Sequence, residues 1–224
     1  MTISLVTVVH NEEAQMESFL KWHRPWVDEV IVVHDGPCED ATREIALAQQ
    51  CQYYEALYEG YCESHRGWGA VRSHGHWVLF ADADERFPLQ FLQFTREIEK
   101  NAAFEGLLFH RTTFWEDAPE RPVVNDVQLR FIRRDALKLS TMIHTSPGCT
   151  GKVVSFPETF PIVHTNWVAT IPEKLVRYRR VIEHQLAQLP DNSERTHLEQ
   201  CLREMEPDEQ FFGVVRDSSL LDAV

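Results

Sequence analysis

His76-Trp77-Val78-Leu79-Phe80-Ala81-Asp82-Ala83-Asp84-Glu85 runs a short, mostly apolar segment directly into a cluster of carboxylates. An unbroken apolar run of this length suits a strand covered on both faces, because a half-exposed strand would alternate. Two earlier stretches share the grammar. Ile3-Ser4-Leu5-Val6-Thr7-Val8-Val9 ends in His10-Asn11-Glu12-Glu13, and Val30-Ile31-Val32-Val33 breaks at His34-Asp35-Gly36-Pro37. Helical spacing lies between them. Met16, Phe19, Leu20 and Trp22 mark one helix, Asp40 can cap a second through Ile45, Ala46 and Ala48, and Ser64 a third through Trp68, Ala70 and Val71. A further strand is expected near Gln52 to Leu57. Strands alternating with helices predict an α/β fold, a Rossmann-like sheet with helices on both faces.

Pro88 suits the first turn of a helix through Leu89, Phe91, Leu92 and Ile98. The style then changes. Gly106 to Phe114, Val127 to Ile132, Leu137 to Met142, Lys152 to Phe156 and Phe160 to Thr165 are strand-like pieces joined by turns, so the sheet should become mixed. Pro172 to Met205 returns to helical spacing, interrupted at Pro190-Asp191-Asn192-Ser193. The stretch from Pro207 to Val224 has no clear period and reads as a tail or a docked peripheral segment. The expected division is residues 1–170 as the α/β domain and 171–224 as a helical extension. Its apolar stripes (Leu175, Tyr178, Val181, Ile182; Leu198, Cys201, Leu202) should pack on the domain or form a homodimer.

The chain has 224 residues, 22 Lys+Arg, 35 Asp+Glu, a formal net charge of -13 and 43% apolar residues. That surplus of acid would repel a phosphate backbone, and no basic run offsets it, so nucleic acid is excluded as a partner. No apolar run approaches the roughly 20 residues of a membrane-spanning helix. Met1 leads straight into a strand-like run with no basic n-region, so no signal peptide is expected. Five cysteines without a C-x-x-C pair fit a reducing cytoplasm.

In open α/β sheets, ligands sit beyond the carboxyl ends of the strands, which directs attention to His10-Asn11-Glu12, His34-Asp35-Gly36 and Asp82-Ala83-Asp84. Two carboxylates at i and i+2 on a loop can reach one hard divalent ion, Mg²⁺ or Mn²⁺, which would bridge to a diphosphate. The plainer account is an acidic turn complementing the next helix. Gly67-Trp68-Gly69 fails as a dinucleotide fingerprint, since Arg72 stands where the third glycine belongs. A haloacid-dehalogenase phosphatase would also place D-x-D after an apolar strand, but Arg86 occupies a position normally Thr or Val. A nucleotidyltransferase would need a Gly-rich basic loop after the first strand.

Residues 3–13, 29–42 and 77–85, in this order and spacing, resemble the nucleotide-sugar motifs of family 2 glycosyltransferases with the GT-A fold. Asn125-Asp126-Val127-Gln128-Leu129-Arg130-Phe131 resembles their later acidic-Leu-x-x-Arg segment, especially in short bacterial members acting on cell-envelope sugars. The resemblance spans about residues 1–167. It implies a sugar nucleotide, a UDP-sugar first, cradled by His10, Asn11, Glu12, His34 and Asp35. It also implies a diphosphate bound through a metal at Asp82 and Asp84, with His164 as a late metal contact. Where many members have Asp-Asp-Gly-Ser, this chain has His34-Asp35-Gly36-Pro37, which leaves the base open. Arg66 stands where a basic residue commonly faces the donor, and a guanidinium fork suits a diphosphate.

Asp126 is the candidate general base of an inverting transfer to a glycan or glycolipid hydroxyl, as in polysaccharide or lipopolysaccharide synthesis; Glu116 and Asp117 are its rivals. Such an enzyme would be cytoplasmic or peripheral at the inner membrane face. The alternative is a sugar-nucleotide-binding scaffold of the same fold without catalysis.

Overall fold

The computed structural model describes residues 2–101, 103–116, 118–166 and 171–211. In chain order, the first half comprises β1 (Ile3–Val9), α1 (Glu13–His23), β2 (Glu29–Asp35), α2 (Thr42–Ala48), β3 (Gln52–Ala56) and α3 (Glu63–Arg72). It closes with β4 (Trp77–Phe80), β5 (Glu85–Arg86) and α4 (Leu89–Asn101). The second half adds β6 (Gly106–Trp115), β7 (Ala118–Arg133), β8 (Leu137–Lys138), β9 (Gly148–Cys149), β10 (Val153–Ser155) and β11 (Ile162–Asn166). Two helices follow, α5 (Ile171–Gln188) and α6 (Ser193–Phe211).

The main sheet runs β3-β2-β1-β4-β7-β6-β11-β5, with β10 also on β6. Strands β1 to β4 are mutually parallel, whereas β7 enters antiparallel to both β4 and β6, so the sheet is mixed as expected. The chain winds outward from β1 to β3 and then returns to the other side of β1 as β4. That reversal is a topological switch point, and it leaves a crevice at the carboxyl ends of β1 and β4.

Alternate residues of the buried strands feed two cores. Ile3, Leu5, Val30, Val32 and Leu79 face Met16, Phe19 and Leu20 of α1 and Phe91 of α4. Val6, Val8, Ile31, Val33 and Val78 face α3. Gly69 explains itself here. A Cβ on it would lie 2.6 Å from Val6 Cγ1, so the glycine lets α3 press onto the sheet. Rings of Phe87, Phe91, Phe109, Phe131 and Phe156 meet at centroid distances of 4.7 to 5.7 Å, mostly edge to face.

Several sequence expectations need correction. β7 begins at Ala118 rather than Val127, because its pairing with β6 carries a polar, Pro-containing stretch into a hairpin. Leu137 to Met142 is a strand only at Leu137–Lys138, after which the chain turns. Helix α6 continues through Pro207 to Phe211, the proline costing one ladder hydrogen bond without ending the helix. Residues 212–224 of the expected tail lie outside the described residues. No helix among the described residues is long and apolar enough to cross a membrane.

Candidate active site

A cleft of about 960 Å³ opens at the switch point. It is walled by the ends of β1 and β4, the β6/β7 ribbon and the first turns of α5.

The β1 end is shaped by backbone strain. Asn11 adopts φ +54, an uncommon left-handed conformation for a residue with a side chain. Two contacts hold it there: its N–H donates to His34 Nε2 (3.1 Å), and its side-chain oxygen accepts from the Glu39 N–H (2.9 Å). His34 is fully buried, and its Nδ1 meets the Gly36 carbonyl oxygen at 2.8 Å. It is therefore a scaffold residue that sets the Asn11 loop and does not face the cleft, contrary to its expected place among the donor contacts. His10 does face the cleft, with its ring 5.0 Å from that of Tyr58. Asp35 reaches the cleft wall, but its carboxylate already accepts from the N–H groups of Glu59 (2.6 Å) and Gly60 (2.8 Å) and pairs with His65 Nε2 (2.9 Å). Burial alone would raise its pKa; these partners hold it below the ordinary value.

Glu12 opens α1 and lines the cleft. Burial, reinforced by the nearby negative charge of Asp84, pushes its pKa up to about 7.

The D-x-D segment divides into two roles. Both oxygens of Asp82 accept from Arg66 Nη2 at 3.0 Å, and Oδ2 also accepts from Arg130 Nη2 at 2.8 Å. Burial opposes its ionisation, but the two guanidiniums hold it well below the usual carboxylate range. Glu85, fully buried, takes Arg130 Nη2 at 2.6 Å and Arg111 Nη1 at 3.1 Å. Arg111 in turn grips Asp126 from the facing strand (2.9 and 2.5 Å), a cross-strand pair set by the β6/β7 register. Three guanidiniums, Arg66, Arg111 and Arg130, thus interlock with three carboxylates, Asp82, Glu85 and Asp126.

Asp84 stands apart from this lattice. Its Oδ2 lies 3.2 Å from His164 Nε2, and its Oδ1 is buried with no hydrogen-bond partner. The meeting follows from pairing: β5 binds β11 with His164 opposite Glu85, and the Thr165 N–H donates to the Asp84 carbonyl. Thr113 Oγ1, 2.9 Å from His164 Nδ1, fixes the ring. An orphaned carboxylate oxygen beside an imidazole nitrogen fits a hard cation. Among the described residues no cluster of three His, Cys, Asp or Glu forms a complete metal cage, so exogenous oxygens would have to complete the coordination.

Asp126 lines the cleft from β7. Arg111 and Gln128 occupy three of its acceptor positions, one on Oδ1 and two on Oδ2, leaving an acceptor position on Oδ1. Burial raises its pKa and Arg111 more than reverses that, for a net lowering. The rival Asp117 lies outside the described residues, as does Trp167 beside the His164 segment.

Sequence reasoning quoted Glu85 and Arg130 in its motifs without giving them a role in the site and missed Arg111; their partners lie up to 48 residues away. It also missed α5, which brings Lys174, Arg177 and Tyr178 to the cleft. The expected helical extension is therefore part of the site wall.

No protein-family model matches the chain, and no curated protein does. Solved structures do. S. aureus TarS superposes with TM-score 0.53 at 15% identity, covering 95% of this chain and 44% of that one. Its 1–349 form has been solved with UDP and with UDP-GlcNAc, and 72–73% of that form is covered. Glucosyl-3-phosphoglycerate synthase from Mycobacterium tuberculosis, in complex with Mn²⁺, UDP and phosphoglyceric acid, matches with TM-score 0.52 at 17% identity over 85% of this chain and 80% of that one. The mannosyltransferase PcManGT from Pyrobaculum calidifontis, with GDP-Man and Mn²⁺, gives 0.52 at 12% identity over 88% and 68%. The chain spans less than half of the longer TarS chain. At these identities the likeness establishes the fold, which is of the GT-A type, as the sequence resemblance implied.

Proposed function

We propose that the protein is a glycosyltransferase that uses a nucleoside-diphosphate sugar, UDP-linked by preference, and a divalent cation. We further propose that it inverts the anomeric centre and acts on a glycan or glycolipid hydroxyl in cell-envelope synthesis. The observation that carries this is the buried, unpartnered Oδ1 of Asp84 beside His164, at the switch point of a GT-A fold. The solved neighbours with UDP, UDP-GlcNAc or GDP-Man and Mn²⁺ support the donor class and the metal. Five free cysteines fit a cytoplasmic setting, with the inner membrane face as the place of a lipid-linked acceptor.

A cation held by Asp84, His164 and the diphosphate would supply charge stabilisation for the departing nucleoside diphosphate. Asp82, locked by Arg66 and Arg130, keeps acceptor capacity toward the cleft for donor hydroxyls. In the transfer, the acceptor oxygen bonds the anomeric carbon while the carbon–oxygen bond to the diphosphate breaks, and the diphosphate leaves with the electron pair. The acceptor proton passes to Asp126 Oδ1. A lowered pKa weakens this base, yet the hydroxyl becomes acidic as its bond forms, so a late proton transfer suffices.

The test is UDP release from UDP-GlcNAc and other UDP-sugars in Mn²⁺, with Asp126→Asn beside the parent. Loss of a base typically costs about 10²- to 10⁴-fold in rate. We expect that loss with UDP affinity unchanged. Equal turnover in the variant would remove Asp126 from the mechanism. Binding without any turnover in the parent would favour a scaffold that holds sugar nucleotides.

A further inference from the structure

We infer that Lys174 and Arg177, one turn apart on α5, form a two-cation clamp that closes on the diphosphate of the donor from the side opposite Asp84; this rests on the donor reading above.

The α5 face turned to the cleft presents Ile171, Lys174, Arg177 and Tyr178, the i, i+3 and i+4 spacing of one helical stripe. Neither cation has a hydrogen bond or an ion pair among the described residues. Arg177 Nε is buried without a partner. Both charges lie 5.7 Å from the Tyr178 ring centroid, near the outer limit of a useful cation–π contact, so the ring alone does not explain them. In a protein of net charge -13, two unpaired cations held in one cleft point to an anion.

Position selects which anion. The Cγ and Cδ of Arg177 rest against Gly60, where an added Cβ would stand 3.1 Å from each. The Gly60 N–H donates to Asp35 at the end of β2. Asp126 lies on β7, three strands away in the order β2-β1-β4-β7, or roughly 14 Å at ~4.8 Å per strand. Arg177 therefore belongs to the nucleotide end and not to the acceptor wall. Lys174 faces Asp84 and Asp82; Tyr178 first and then these carboxylates raise its pKa above the ordinary lysine value despite burial. Glu12, Asp82 and Asp84 would repel a diphosphate, and a single divalent ion leaves part of that charge uncompensated. An ammonium and a guanidinium fork supply the rest.

The helix is braced for this task. Gln185 donates to Tyr61 Oη (3.1 Å) and to the Thr141 carbonyl (3.3 Å) and accepts from the Ile143 N–H (3.2 Å). Leu175 and Ile182 are buried against Ile143 and α6.

The experiment is calorimetric titration of UDP and UMP in Mn²⁺ into the parent and into Lys174→Gln/Arg177→Gln. Each lost charge-assisted contact should cost roughly tenfold. UDP affinity should therefore fall by at least about 30-fold and UMP affinity by at least about tenfold less than that. Undiminished UDP affinity in the double variant, or equal losses for UMP and UDP, would overturn the clamp while leaving the donor reading intact. A parent that binds neither UDP nor UMP would overturn both. Should the double variant not fold, Lys174→Gln and Arg177→Lys singly decide by the same comparison.

Discussion

In the transfer proposed above, Asp84 is the residue that would hold the cation, and its isolation from the arginine lattice lets that role be tested apart from stability. Its side chain has one hydrogen-bond partner among the described residues, His164, and one unpartnered oxygen. Asp84→Asn should abolish the Mn²⁺-dependent part of UDP-induced thermal stabilisation while shifting the ligand-free melting temperature by no more than about 2 °C. A large ligand-free destabilisation with metal dependence retained would make Asp84 structural. His23 shows the opposite case, a titratable group with a purely structural setting. Its Nδ1 meets the Phe19 carbonyl at 3.0 Å, and its Nε2 accepts from the Phe87 N–H at 3.4 Å, so only the neutral ring satisfies both. Burial first, and Arg86 nearby, lower its pKa to about 3. The unfolded chain thus binds the extra proton between about pH 6.5 and 3, and stability falls as pH drops through that window, by roughly 1 kcal/mol at pH 5.5. Urea titrations at pH 7.5 and 5.5 should show a smaller pH difference in His23→Gln than in the parent. An unchanged difference would assign the acid sensitivity elsewhere.

At the scale of elements, the site is made by strand pairing, which decides what could be read from the sequence. Strand ends were legible because an apolar run followed by polar residues is a local pattern: β1, β2 and β4 deliver Asn11, Asp35 and Asp82 where ligands of an open sheet bind. His164 came from family resemblance; the physical cause, the β5/β11 pair, spans 80 residues and has no local signature. Glu85 could be taken for an acid complementing the next helix, Arg130 was legible only as part of the family-like segment, and Arg111 carried no local signal, because their partners are brought in by strand pairing. Lys174 and Arg177 drew no reading at all, since nothing in a single sequence tells a cleft from solvent. His34 misled for a related reason: a strand-end polar residue can turn inward and serve the main chain. Strand β7 now carries a load its sequence hides. Arg130 is 1% exposed and ties Asp82 to Glu85. Breaking a buried ion pair typically costs about 3–5 kcal/mol, so Arg130→Met should lose that much in urea unfolding. A loss below about 1 kcal/mol would mean that Arg111 and Arg66 carry the lattice alone.

For the whole molecule, the acidic surface, the mixed sheet and the C-terminal hairpin combine into one design. The sheet gathers carboxylates at its switch point, the arginine lattice fixes their geometry, and α5 returns positive charge to a cleft that would otherwise reject phosphate. Metal and diphosphate should then bind as a unit, each supplying what the other lacks. Calorimetric titration of UDP and GDP into the unmodified protein, once in Mn²⁺ and once in excess chelator, tests that most directly. UDP should bind saturably in Mn²⁺, weakened at least about tenfold, or about 1.4 kcal/mol, by the chelator. Absence of binding by either nucleotide in Mn²⁺, or an affinity indifferent to the metal, would contradict it.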